Sequence, residues 1–142
     1  MAAPRVVLDT NVLVAGLRSR RGSSFRLLTM VGAAGFEVVV SVPLLLEYEV
    51  ALLEHLDETP FTRSDINDVL DYLCRIAHRQ DIFFLWRPYL KDPKDDLVLE
   101  LAVESESEFI ITYNLRDFVG IDKFGIQALT PKQFLQKLGE IK

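Results

Sequence analysis

The apolar residues of this chain fall into short runs of two kinds. Runs of four to six residues rich in β-branched side chains predict buried strands, and longer runs with helical spacing predict helices. The expected strands cover residues 5–8, 36–40, 81–86, 109–112 and 126–129. Strands that alternate with helices pair in parallel, so we predict one domain over residues 1–142 with an α/β fold, a three-layer α/β/α sandwich around a central parallel sheet.

Capping residues and helix stops mark the expected helices. A helix over residues 24–34 is expected to have Ser23 or Ser24 as its cap and Gly35 as its stop. Other helices are expected over residues 44–56, after the capping-box sequence at residues 62–65, over residues 93–105 and from residue 131 onward. These elements leave no linker or repeat between them.

Composition adds expectations about location and association. Hydrophobic residues make up 49% of the 142 residues and the mean hydropathy is +0.18, which favours a second copy or a partner covering apolar surface. The single cysteine, Cys74, lies in an apolar helical stretch, which predicts a buried thiol in a reducing compartment. No apolar run is long enough to cross a bilayer and none resembles a signal peptide, so a cytoplasmic location is expected.

The net charge of −5 excludes a general attraction for nucleic acid. A phosphate backbone would be repelled over most of the surface of such a chain. Any role in binding nucleic acid therefore requires local cations or a bound metal ion.

Four acids stand at strand ends or in early helical turns. Asp9 follows the first expected strand, Glu47 lies in a helix that is apolar on nearly every side, and Asp117 follows the fourth strand. Asp96 lies one turn into the helix that begins at Pro93. Ligands collect at the carboxyl ends of parallel strands, so we expect these four acids at one edge of the sheet.

Each acid also has a purely structural interpretation. Asp9 and Asn114 could cap the helices that follow them, and Glu47 could lie on a solvated helix face. Asp92 as N-cap and Asp95 at the third helical position would form a capping arrangement. Asp96 is then left without a capping role, which makes it the acid that most needs another explanation.

Convergence of the four acids predicts a metal site. Their repulsion would raise some pKa values sharply unless a cation neutralised them. Oxygen ligands without histidine or cysteine favour Mg²⁺ or Mn²⁺ over Zn²⁺. Such an ion can lower the pKa of an attacking water and neutralise charge on a scissile phosphate, so the acids predict phosphodiester hydrolysis.

Four short motifs resemble those of the PIN-domain family, metal-dependent nucleases that are common as toxins of toxin–antitoxin pairs. They are Val-Leu-Asp-Thr-Asn at residues 7–11, Ser-Val-Pro at 41–43 with Glu47, Asp-Leu-Val-Leu-Glu-Leu-Ala at 96–102, and Ile-Thr-Tyr-Asn-Leu-Arg-Asp-Phe at 111–118. The resemblance implies an endoribonuclease that hydrolyses RNA with Mg²⁺ or Mn²⁺. It also implies a cognate antitoxin, a homodimer, and a catalytic, metal-binding set of Asp9, Glu47, Asp96 and Asp117.

Further polar residues are expected to bind the substrate. Asn114 stands where many family members carry another acid, and Asn11 closes the first motif. Arg18 and Arg21 follow that motif, and they could hold a phosphate beside the metal. An exposed basic loop is the alternative interpretation of these arginines. The alternative for the whole chain is a PIN-like fold kept as a non-catalytic RNA-binding or scaffolding subunit, against which the four intact acids argue.

Overall fold

The computed structural model describes residues 3–33, 35–82 and 89–142 of the chain. Its strands are β1 (Arg5–Leu8), β2 (Glu37–Val40), β3 (His78–Arg79), β4 (Phe109–Ile111) and β5 (Gln127–Leu129). They form a parallel sheet in the order β3-β2-β1-β4-β5. Val6, Val7 and Leu8 of the central strand β1 are completely buried, as expected for a parallel strand covered on both faces.

Six α-helices accompany this sheet in the described ranges. They are α1 (Thr10–Arg18), α2 (Ser23–Thr29), α3 (Val42–Glu54), α4 (Arg63–Ile76), α5 (Pro93–Glu104) and α6 (Pro131–Lys137). The expected α/β/α fold with a central parallel sheet is confirmed. Among the described residues, none of the helices combines the length and apolar character that crossing a membrane requires.

The capping patterns in the sequence find most helix ends. Thr62 and Asp65 form the expected capping box of α4, and Thr130 begins α6 with a second one. The helix predicted over residues 24–34 is wrong at its ends, because Gly22 is the N-cap of α2 and the helix ends at Thr29. The turn that follows includes Gly32 at φ +91°, a conformation that breaks the helix well before Gly35.

Two other expectations concern the third strand and the cysteine. The strand expected over residues 81–86 stays a prediction, because only its first two residues are described; the third strand that the structure describes, β3, is at His78–Arg79, where it pairs with the end of β2. Residues 83–88 lie outside the described part of the chain. Cys74 is exposed on α4, so the expectation of a buried thiol is wrong.

The sheet places its functional edge at the end of β1. From β1 the chain passes outward through β2 to β3, and then it returns to the other side of β1 to form β4 and β5. The strand order therefore reverses between β1 and β4, and a crevice opens beyond the carboxyl ends of strands at such a point. Asp9 stands there, and its N–H donates to the Ile111 carbonyl of β4 at 2.8 Å.

Candidate functional site

Asp9 is held in one position by donors from both neighbouring strand ends. Its side chain caps α1 by accepting the Thr10 N–H at 2.9 Å, so the capping interpretation is confirmed. The Thr112 hydroxyl donates to the other carboxylate oxygen at 2.8 Å, and the Asn11 amide donates to it at 3.2 Å. Burial raises the pKa of Asp9, while the bonds from Thr112 and Thr10 act in the opposite direction. The Asp9 carboxylate is thus buried and held in place, and its hydrogen bonds offset part of the cost of burying its charge.

Thr112 and Asn11 form a brace between β1 and β4. The Thr112 hydroxyl oxygen accepts the Asn11 amide at 3.3 Å and the Asn114 N–H at 3.0 Å, in addition to its bond to Asp9. The Asn11 carbonyl oxygen accepts the Tyr113 N–H at 3.2 Å. The Asn11 amide is therefore engaged within the protein as a positioning group, and its expected contact with substrate stays a prediction.

Helix α3 approaches the same edge through Tyr48 and Glu47. The buried Tyr48 hydroxyl donates to the Leu8 carbonyl, and the nearby charge of Asp9 is a second cause, after burial, of the raised pKa of Tyr48. Glu47 is half-buried, and its carboxylate lies 3.8 Å from the Lys94 ammonium. Glu47 is therefore joined to the start of α5 through a lysine, and its direct role as a metal ligand stays a prediction.

Asp95 is the acid that shares its surroundings with Asp9 and Asp117. Burial raises the pKa of Asp95 to about 7, and the charges of Asp9 and Asp117 are the next causes, ahead of Asp92 and Asp96. The helix cap is supplied by Asp92, whose side chain accepts the Lys94 N–H at 2.9 Å. Asp95 therefore does not have the capping role that the sequence suggested. It belongs instead to the acidic group with Asp9 and Asp117.

Asp96 makes a different set of contacts. One of its carboxylate oxygens accepts the Leu90 N–H at 2.8 Å and the Tyr89 N–H at 3.2 Å. Adjacent helical residues point about 100° apart, so the two neighbouring acids face different surroundings. The charges of Asp9 and Asp117 act on Asp95, whereas Asp96 holds the backbone before α5 through its two hydrogen bonds.

An open cleft of about 600 Å³ lies beside this acidic group. Residues that line it include Tyr89, Asp92, Asp95, Arg116 and Asp117. Arg116 supplies a guanidinium among the carboxylates, a position that sequence reasoning missed although Arg116 directly precedes Asp117. Asp117 itself begins no regular α-helix, since residues Leu115–Phe118 form a 3₁₀ turn whose N-cap, Asn114, makes no side-chain capping bond.

In the described part of the chain, the acids do not by themselves form a complete metal-binding site. Within residues 3–33, 35–82 and 89–142, no three acidic, histidine or cysteine side chains lie close enough together to surround a metal ion. The expected convergence of Asp9, Glu47, Asp96 and Asp117 is therefore incomplete. Magnesium, however, usually binds one or two carboxylates and fills its shell with water and substrate phosphate. The oxygen donors of Asp9, Asp95 and Asp117 fit that chemistry.

The two expected arginines lie at the end of α1 and in the loop that follows it. Arg18 ends α1 and pairs with Glu58 at 3.0 Å, and a nine-residue rise puts it about 13 Å from Asp9 along the helix. Arg21 follows in the loop to α2, in a pocket it shares with Arg20 and Arg26. The expected contact of Arg18 and Arg21 with a substrate phosphate beside the metal therefore stays a prediction. Asn114 is exposed next to Asp117, so its predicted contact with substrate stays open.

The brace at Thr112 leads to a prediction about stability. Replacing Thr112 by valine removes the donor to Asp9 and the acceptor for Asn11 while keeping the side-chain shape. We expect the free energy of unfolding in urea to fall by about 1–3 kcal/mol, because buried polar partners are left unpaired. Thr112→Ser keeps the hydroxyl and should lose clearly less. Equal losses in the two variants would show that the methyl packing, and not the hydroxyl, stabilises this site.

Comparisons with known proteins agree with this fold. The sequence model of the PIN domain matches residues 5–116. The structure of VapBC2 from Rickettsia felis bound to a promoter DNA fragment is similar at a TM-score of 0.60 and 14% identity, over 89% of this chain and 98% of that one. VapBC-1 from nontypeable Haemophilus influenzae gives a TM-score of 0.59 and 13% identity, over 90% and 98%. A comparison with curated proteins gave no match.

Proposed function

Because the chain belongs to the PIN-domain family, whose members are generally nucleases that use divalent metals, we propose that it is a Mg²⁺- or Mn²⁺-dependent endoribonuclease. One observation carries the proposal most directly. Asp9, Asp95 and Asp117 share one electrostatic environment at the strand ends, beside an open cleft that also contains Arg116. Oxygen-only acids next to a cation suit a metal-assisted attack on a phosphodiester.

The residues of the cleft divide the chemistry between them. Asp9, Asp95 and Asp117 would supply oxygen donors to the metal ion, directly or through its waters, and the ion when bound would supply a water of lowered pKa and charge neutralisation. Thr112 and Asn11 keep the Asp9 carboxylate in place. The planar guanidinium of Arg116 can donate to two oxygens of the scissile phosphate, and it offsets the charge of the acids as the substrate enters. Glu47 and Asp96 stay predicted metal ligands, ranked below Asp9, Asp95 and Asp117.

We propose that the cellular role of this protein is that of the toxin in a toxin–antitoxin pair. The similar solved structures are VapBC proteins, one of them with promoter DNA. An apolar groove of about 440 Å³ between α1, α2 and α4 suits the apolar helix of an antitoxin, with Leu17, Leu28, Val69 and Tyr72 among its lining residues. Growth arrest on expression that the neighbouring gene relieves would support this role, and absence of arrest would leave only a nuclease.

Helix α3 supports the proposed homodimer. Val42, Leu46 and Val50 recur every four residues and are 53%, 58% and 49% exposed, which gives an apolar stripe on one face. A second copy packed on this stripe would cover apolar surface that is otherwise in water. A monomer at every concentration in sedimentation equilibrium would contradict the dimer.

The nuclease proposal is tested with purified protein and an unstructured, labelled RNA. We expect cleavage with Mn²⁺ or Mg²⁺, none with EDTA, and a loss of about 100-fold or more in Asp9→Asn, since removing a metal ligand costs at least what second-shell changes cost. Asp71→Asn, an exposed acid on α4, is the matched control and should cleave like the wild type. No cleavage by the folded wild type with either metal would favour the non-catalytic alternative.

A further inference from the structure

A basic patch lies in a chain that is otherwise acidic. Residues 18–26 contain Arg18, Arg20, Arg21 and Arg26 and no acidic residue, although the whole chain carries a net charge of −5. Such a local excess of cations is the feature that attracts a polyanion to an acidic protein.

Among the described residues, two of these arginines have no carboxylate partner. Arg18 pairs with Glu58, and Arg26 donates to the Glu140 carbonyl at 3.0 Å with the Glu140 carboxylate at 3.8 Å. Arg20 and Arg21 make no ion pair with any described residue. They line a pocket of about 440 Å³ with Ser23, Phe25 and Arg26, which we call the arginine pocket. Its unpaired cations and aromatic ring can accept a phosphate and an adjacent base.

Tyr113 connects the arginine pocket to the acidic cleft. It directly follows Thr112, which holds Asp9, and its side chain is 45% exposed. Its hydroxyl shares a hydrogen bond of 2.5 Å with the hydroxyl of Ser24 in the first turn of α2, next to Ser23 of the pocket. Towards the cleft, Tyr113 lines a shallow surface with Arg116 and Asp117. An exposed aromatic ring thus lies between the two sites.

We propose that an unpaired RNA strand leaving the acidic cleft stacks a base on Tyr113 and places its backbone phosphates in the arginine pocket. The inference rests on the proposed nuclease function, and it adds the path that the substrate follows. Carboxylates at the cleft repel a phosphate backbone, so affinity must come from cations elsewhere on that path. Stacking on an aromatic ring is tolerant of sequence, which suits a contact outside the cleavage position.

The arginine pocket also adjoins the apolar groove through Phe25 and Thr29, so an acidic protein segment is the competing ligand. The link through Tyr113 to the cleft favours RNA as the ligand, because a protein segment bound in the groove does not need to contact that exposed ring. An acidic peptide serves as the competing probe in the experiment.

The experiment measures RNA binding without cleavage. An unstructured RNA of about 20 nucleotides, long enough to span both sites, is titrated in EDTA and followed by fluorescence anisotropy. For Arg20→Glu/Arg21→Glu we expect affinity to fall about tenfold or more, and the slope of log affinity against log salt to shrink by about 1.4 for two lost phosphate contacts. Arg63→Glu/Arg75→Glu, two exposed arginines of α4, is the matched control and should bind like the wild type.

Tyr113 variants separate stacking from the bond to Ser24. Tyr113→Ala should lose about tenfold in RNA affinity, whereas Tyr113→Phe, which keeps the ring, should bind within about threefold of wild type.

If Arg20→Glu/Arg21→Glu binds RNA as tightly as the wild type, the proposed RNA path is wrong, even if the wild type cleaves RNA with metal. If Arg20→Glu/Arg21→Glu loses RNA affinity but the wild type cleaves no RNA, the proposed RNA path is supported and the proposed nuclease function is rejected. If these substitutions weaken binding of the acidic peptide and leave RNA binding unchanged, the pocket binds an acidic protein segment and the proposed RNA path is wrong.

Discussion

Asp95→Asn is expected to reduce the rate of RNA cleavage about 100-fold or more, whereas Asp96→Asn should reduce it by about fivefold at most. Asp95 shares its environment with Asp9 and Asp117, so its charge is the one that a metal ion would neutralise. Asp96 accepts two backbone N–H groups at residues 89 and 90, and the amide oxygen of asparagine can still accept them. The measurement is single-turnover cleavage at saturating Mn²⁺.

The two variants are each other's controls, because they make the same chemical change at adjacent positions of one helix. Circular dichroism must first show that both are folded. A large loss in Asp96→Asn with little change in Asp95→Asn would restore Asp96 as the ligand and contradict the placement of α5. Equal, large losses would mean that the backbone held by Asp96 is as important as the charge of Asp95.

Sequence reasoning chose Asp96 for a definite physical reason. The capping pattern after Asp92 appeared to use Asp95, which left Asp96 unexplained, yet the structure caps α5 with Asp92 alone. Which of two adjacent acids faces the sheet depends on the rotation of the helix about its axis. That rotation is set by the buried residues Val98, Leu99, Leu101 and Ala102 as they pack into the core. Local spacing does not contain this tertiary information.

The parts that sequence did predict follow from short-range rules. β-branched runs located β1 and β4, parallel pairing placed their ends at one edge, and Asp9 and Asp117 consequently lie in one electrostatic group. Thr112 was missed because its bond to Asp9 joins residues 103 positions apart. Tyr113 was missed for the same reason, as its partner Ser24 is 89 residues away. Contacts over such separations exist only once the sheet has formed.

Metal-free Asp95→Asn protein is expected to melt at a higher temperature than the wild type at about pH 8, and at the same temperature near pH 4. The pKa of Asp95 is raised from 3.8 to about 7 in the folded chain by burial and by the neighbouring acids. Between those values the folded protein retains a proton that the unfolded chain has released, so the free energy of unfolding falls as pH rises and stays reduced above pH 7. Asparagine carries no charge, so Asp95→Asn avoids this fall in the free energy of unfolding.

The expected gain is about 1 kcal/mol once solvent screening of this partly exposed carboxyl is discounted, or about 3 °C in melting temperature. Asp96→Asn is the control: it weakens two hydrogen bonds to a charged acceptor, so it should lower the melting temperature at both pH values. Saturating Mg²⁺ should then raise the melting temperature of the wild type more than that of Asp95→Asn, since an ion that binds only the folded state stabilises it. If Asp95→Asn melted lower than the wild type at pH 8, Asp95 would be a stabilising side chain, and the acidic group would have a structural origin.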